Sequence, residues 1–160
     1  MKRLSNEERL RQLAEDFFDV KNDPQQLQVN DEVLQKLRQI HPLCICEEHT
    51  NDGPIAWTLV MPTTHTLMTQ FLNKEISENE LFQLNPFPYP YDALYLCSAL
   101  VLPEYQRQGI AKRMLINSVS GIRKDYPIQS LFLWPFSEGG DKLAESVART
   151  CGLPLFRRKE

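Results

Sequence analysis

The decisive stretch of the chain is Val101-Leu102-Pro103-Glu104-Tyr105-Gln106-Arg107-Gln108-Gly109-Ile110-Ala111. An apolar run from Ala93 to Leu102 stops at Pro103. A helical pattern then opens at Gly109 and runs to Lys124, with Ile110, Met114, Leu115, Val119 and Ile122 on one side. Leu131 to Trp134 follows as a short buried strand, which makes the whole a β-α-β unit. A helix start presents several N–H groups without intrahelical partners and about half a positive charge. Gly109 and the small Ala111 let an anion's oxygens approach that main chain, and Arg107 adds a positive charge beside it. The turn therefore suits a phosphate. It is not a Walker loop, which ends in Gly-Lys-Ser/Thr, nor a dinucleotide fingerprint, which needs three glycines in G-x-G-x-x-G.

Upstream of this unit, Ser5-Asn6-Glu7-Glu8 reads as a capping box. Leu10, Leu13, Ala14, Phe17 and Phe18 continue it as an amphipathic helix over 5–20, ended near Asp23-Pro24. Asn30 or Asp31 caps a second helix marked by Val33, Leu34, Leu37 and Ile40, which stops at His41-Pro42. Leu43 to Glu48 and Pro54 to Met61 flank Asn51-Asp52-Gly53, the pattern of a β-hairpin. One or two short helices cross Thr64 to Leu84, and the three prolines between Asn85 and Asp92 make a rigid connecting loop. Downstream, Glu138-Gly139-Gly140-Asp141 is expected to cap a last helix closed at Gly152, with Leu153 to Phe156 as a final strand.

Length and composition bound the function. With 160 residues, 42% apolar and 24% charged, the chain reads as one ordinary folded domain, 1–160. A net charge of -3 offers no broad positive field for a nucleic acid backbone, and the longest apolar run is about half of what a membrane helix needs. The charged amino terminus lacks the apolar core of a secretory signal, so a cytoplasmic location with reduced thiols is expected. Cys44 and Cys46 lack a second pair or a spaced His, so they read as core residues and no metal site is expected. His41, His49 and His65 read as solvated imidazoles, and Arg157-Arg158-Lys159 as a solvated basic end.

Gln106-Arg107-Gln108-Gly109-Ile110-Ala111, after Val101-Leu102-Pro103, resembles the signature of the GNAT superfamily of acetyl-CoA-dependent N-acetyltransferases, Gln/Arg-x-x-Gly-x-Gly/Ala after a strand ending Val-x-Pro. Ala144-x-x-Val147-Ala148-x-x-x-Gly152-Leu153 is similar to the family's closing helix, so order and spacing agree over 93–156. The resemblance implies an α/β (α+β) fold: a mixed, mostly antiparallel central sheet, flanked by helices and splayed between the Ala93 and Leu131 strands. The hairpin would be the family's second and third strands, Gln26 to Val29 its first, and the 5–20 helix an amino-terminal extension.

The same resemblance implies acetyl-CoA as co-substrate, its pantetheine lying in the splay against backbone groups of Ala99, Leu100 and Val101. The pyrophosphate would sit on the N–H groups of Gln106, Arg107, Gln108, Gly109, Ile110 and Ala111. The activity implied is direct attack of a small-molecule or peptide amine on the thioester, and a homodimer is compatible with it. Three positions depart from the family pattern. Ala148 stands where many members carry a Tyr acid, Tyr95 where some carry a Glu base, and Ser137 or Asp141 would have to replace an Asn after the second strand of the gap. The catalytic residues are therefore left unassigned. A CoA-binding module without turnover, or a partner-binding protein of the same fold, are the alternatives.

Overall fold

A computed structural model gives the fold and describes residues 4–18 and 30–159. The element order is α1 (Asn6–Phe18), α2 (Asp31–Ile40), β1 (Ile45–Thr50), β2 (Gly53–Thr63), α3 (His65–Leu72), α4 (Glu78–Leu84), β3 (Ala93–Val101), α5 (Ile110–Asp125), β4 (Ser130–Leu133), α6 (Glu138–Cys151) and β5 (Leu155–Arg157). The expected strand at Gln26 to Val29 lies outside the described residues, as does the end of the first helix beyond Phe18.

Helix starts follow local chemistry. Ser5 Oγ accepts from Glu8 N at 3.1 Å, Asn30 caps α2, Thr64 caps α3, and Ser77 with Glu80 forms a full capping box on α4. The cap of α6 is Ser137, whose Oγ accepts from Gly140 N at 3.0 Å, rather than the Glu138-Gly139-Gly140-Asp141 stretch expected to provide it. Those four residues are the first turn of the helix.

Among the described residues, five strands form one sheet in chain order. β1–β2 and β2–β3 are antiparallel, with six and eight paired positions, whereas β3–β4 and β4–β5 are parallel with three each. The sheet is thus mixed and mostly antiparallel by length of ladder. Across the parallel junction Tyr95 and Phe132 stack, with ring centroids 4.9 Å apart; Phe71 of α3 meets both edge-on, and Phe82 of α4 meets Tyr95.

Two side chains expected at the solvent are inside. His41 is 7% exposed; its Nδ1 accepts from Leu43 N and its Nε2 lies 2.6 Å from Asp125 Oδ2, so it ties the end of α2 to the end of α5. Arg158 is 5% exposed, with its guanidinium 4.5 Å over Phe71 and 4.7 Å over Trp134 and Nη1 donating to Ile76 O at 3.0 Å. The basic end is therefore not a solvated tail: its Arg157 also binds Asp141 and Glu145. Cys44 is buried as expected, in a 3-10 turn (Pro42–Cys44) ahead of β1 rather than on the strand beside Cys46.

A second apolar cluster forms under α1. Leu10, with no exposed surface, packs with Ile55, Ala56, Leu100, Leu102, Ile110 and Met114, while Arg9 donates to Glu104 at 2.7 Å. The first helix is part of the folded body and touches both sides of the phosphate-type turn. Leu10→Ala is expected to lower stability by about 2–5 kcal/mol, read from urea unfolding. An unchanged midpoint would mean that α1 does not pack there.

Candidate functional site

β3 and β4 pair only from Ala93↔Ser130 to Tyr95↔Phe132. Beyond that, β4 ends at Leu133 while β3 continues to Val101, still held on its other edge by β2. The register between β2 and β3 shifts so that Leu59 faces Ser98 and Val60 faces Leu96, leaving Cys97 as the extra residue of a bulge. A bulge bends and twists its strand, and here it sits where the two strands part. The result is an open cleft of about 480 Å³ between the second half of β3, the start of α5, and Leu133 to Ser137 after β4.

The start of α5 faces this cleft. Its first residues, Ile110, Ala111 and Lys112, have N–H groups with no intrahelical acceptor, and the N-cap is Gly109, which has no side chain to satisfy them. The other α-helices among the described residues each start at a Ser, Thr or Asn side chain. No acidic residue occupies the first turn of α5, and Arg107 and Lys112 both line the cleft. Gly109 (φ 77) and Arg107 (φ 65) both adopt the left-handed region, which turns successive N–H groups toward one side. A Cβ on Gly109 would meet no atom within 4 Å, so glycine is needed there for its dihedral.

Of the residues singled out in the sequence, Ala99, Leu100, Val101, Gln106, Arg107, Gly109, Ile110 and Ala111 all line the cleft. Gln108 does not; its Nε2 donates to Glu104 O at 3.4 Å. Gln106 Nε2 donates to Val101 O at 3.0 Å, which ties the turn to the end of β3. Leu13 of α1, Trp134, Phe136 and Leu143 add apolar wall that the motif did not point to. The amphipathic spacing of Leu10, Leu13 and Ala14 was the one available sign that α1 had a surface to cover.

The positions where the family carries its acid, its base and its Asn, and the carboxylates Glu47, Glu48 and Asp92 at strand ends, are engaged in structural contacts or buried. Ala148 is buried in α6. Ser137 lines the cleft but is engaged as a helix cap, and Asp141 is held by Arg157. Glu48 pairs with Arg113, Glu47 with His49, and Asp92 caps α3 through His65 N at 2.7 Å. Tyr95 has no exposed surface, and its OH donates to Glu78 Oε2 at 2.5 Å. The same oxygen lies 3.8 Å from Cys97 Sγ. Burial, then the Glu78 charge, push both the Tyr95 phenol and the Cys97 thiol well above their ordinary values. Among the described residues no group of three His, Cys, Asp or Glu side chains comes together to hold a metal, and no helix is long and apolar enough to cross a membrane.

No family model matches the sequence, and no curated protein matches it. Among solved structures the chain is similar to Chaetomium thermophilum Naa20 in complex with a bisubstrate analogue: TM-score 0.51, 13% identity, 92% of this chain and 68% of that one. The chain has a GNAT acetyltransferase fold. An aminoglycoside acetyltransferase, meta-AAC0020 from an uncultured soil metagenomic sample, is also similar. Solved with trehalose it gives a TM-score of 0.48 at 18% identity, and with sisomicin 0.46 at 20%; both comparisons cover 93% of this chain and 84% of that one. In GNAT terms the expected splayed, mixed sheet is present, and the cleft occupies the splay.

Tyr95 and Cys97 are held neutral in the folded chain at a pH where the unfolded chain ionises, so unfolding releases protons and stability falls as pH rises. Cys44, pushed up to about 12 by burial, acts in the same direction. Urea midpoints are expected to drop from about pH 9 upward, and Cys97→Ala is expected to make the drop shallower. A midpoint level from pH 7 to about pH 10.5 would contradict the burial of these groups.

Proposed function

We propose that residues 1–160 are one acyltransferase-like domain that moves the acetyl group of acetyl-CoA to an amine of a small molecule or peptide. The observation that carries this reading is the uncapped start of α5, with Arg107 and Lys112 beside it, opening onto the unpaired edge of β3. An unpaired strand edge needs hydrogen-bond partners, and the amide-bearing pantetheine arm can supply them to Ala99, Leu100 and Val101 as an added strand would. The N–H groups from Gln106 through Ala111 then hold the pyrophosphate, with the Arg107 and Lys112 cations nearby.

Leu115 and Leu143 give the cleft apolar wall along its length, and Leu13 does so beside the start of α5. The reaction is direct attack of the neutral amine on the thioester carbonyl, and positioning in the cleft supplies several kcal/mol of its barrier. The chain's own contribution is to bind the donor, to orient its carbonyl, and to take up the acceptor's proton. A CoA-binding module without turnover is the second reading, favoured by Ala148, which offers no proton to a departing thiolate.

Acetyl-CoA at 100 times its Kd is expected to stabilise the chain by about 2.7 kcal/mol, seen as a rise of several degrees in Tm. Gly109→Val forces a β-branched residue into the left-handed region and puts methyl groups in the cradle, so this rise should vanish. Release of CoA on adding amines separates the first reading from the second. A wild-type Tm unmoved by millimolar acetyl-CoA rejects both.

A further inference from the structure

The lining of the cleft contains no Asp, Glu or His among the described residues; its titratable side chains are Cys97, Tyr105, Arg107 and Lys112. An amine that attacks a thioester must nevertheless lose a proton, and the departing thiolate must gain one. Cys97 is the lining side chain with a carboxylate behind it. The β3 bulge places Cys97 at the point where β3 and β4 separate, and its Sγ lies 3.8 Å from Glu78 Oε2. Glu78, at the start of α4, is 5% exposed and is also fixed by the Tyr95 hydroxyl at 2.5 Å. A buried carboxylate must be hydrogen-bonded, and the Tyr95 hydroxyl and the Cys97 thiol are two of the groups that meet this one.

We infer that Cys97 relays protons between the reacting groups in the cleft and Glu78, which holds the proton during acetyl transfer. This rests on the acetyl-transfer reading above. As the acceptor nitrogen bonds to the thioester carbon, its proton passes to Cys97 Sγ while the Sγ proton passes to Glu78 Oε2. As the carbon–sulfur bond breaks, the proton returns by the same path to the CoA sulfur. The sum is amine plus acetyl-CoA giving amide plus free CoA thiol, with Glu78 and Cys97 restored. One path thus performs both the base step that Tyr95 cannot perform and the acid step that Ala148 cannot.

The neighbouring groups fit a relay rather than a nucleophile. Tyr95 and Cys97 face Glu78 from β3, and Arg158, from beyond β5, acts on Tyr95. Burial and the Glu78 charge keep Cys97 a neutral thiol, which can pass a proton but does not form an acyl-cysteine readily. Glu78 acts through Cys97 and is in that sense a positioning residue.

The test compares wild type, Glu78→Gln, Cys97→Ala and Cys97→Ser. Acetyl-CoA affinity is measured by calorimetry and turnover by thiol release, with short peptides bearing free amino termini and spermidine as probe amines. Glu78→Gln and Cys97→Ala are expected to lose kcat by roughly 10²-fold, with the acetyl-CoA Kd within about twofold of wild type. Cys97→Ser, which keeps a relaying hydroxyl, should retain most of the rate. In wild type and variants alike kcat should follow the neutral fraction of the amine, so the roughly 10²-fold gap should persist across the pH range, whereas a defect in presenting neutral amine would close as pH rises. If Glu78→Gln does not fold, the two Cys97 variants decide. Wild-type kcat in Glu78→Gln, a gap that closes as pH rises, or Cys97→Ser falling as far as Cys97→Ala, overturns the relay and leaves acetyl transfer standing. A wild type that binds acetyl-CoA but releases no thiol with either amine overturns the relay and acetyl transfer together, and a wild type that does not bind it overturns the site itself.

Discussion

The separation of β3 from β4 after the Tyr95–Phe132 pair sets the terms for the rest of the molecule. Backbone N–H and C=O groups must be paired or solvated, and from Leu96 to Val101 β3 is laddered only to β2. The other edge is left open beside the uncapped start of α5. A strand edge and a helix start are each ordinary features. Brought together, they make a cleft with a row of donors at one end and apolar walls along its length, which suits a long ligand with phosphate at one end and amides in the middle.

Holding that cleft open takes structure on both sides. On the Tyr95 side, the aromatic group of Phe71, Phe82, Tyr95 and Phe132 pins β3 to β4 where they still pair, and Arg158 lies over Phe71 and Trp134. At the other end, Leu10 fills the cluster beneath Leu100, Leu102 and Ile110, and Arg9 reaches Glu104 in the turn before the glycine. The bulge at Cys97 lies between these two anchors. It is also the place where a cleft-lining side chain touches a buried carboxylate, so the strand distortion that opens the cleft also sets Cys97 against Glu78.

Local chemistry was readable where neighbours in sequence are neighbours in space. The caps at Ser5, Asn30 and Ser77, the Asp52-Gly53 hairpin turn, and the strand–turn–helix from Ala93 to Asp125 follow from short-range rules. A polar side chain satisfied from far away leaves no such local mark. His41 meets Asp125, 84 positions on, and Arg158 donates to Ile76, 82 positions back. Nothing in Arg157-Arg158-Lys159 distinguishes a stacked, buried guanidinium from a solvated one, because the aromatic faces that hold it come from α3 and from beyond β4. The α6 cap lies one residue ahead of the expected stretch for a smaller reason: two glycines and two acids resemble a helix start, whereas the available hydroxyl belongs to Ser137.

By itself, the sequence determined the order of strand, turn and helix around Gly109 and the hairpin before it, since each depends on pattern and spacing within a few residues, whereas the left-handed dihedral that calls for glycine at 109 is seen only in the structure. Tertiary structure decided where the strands part, that α1 supplies part of the cleft wall, and that Glu78 reaches the back of Cys97. Those outcomes depend on which residue of β2 faces which residue of β3, and on a carboxylate delivered from α4 to a strand nineteen positions away. Register and long-range placement are set by the packing of whole elements, and no local pattern encodes them.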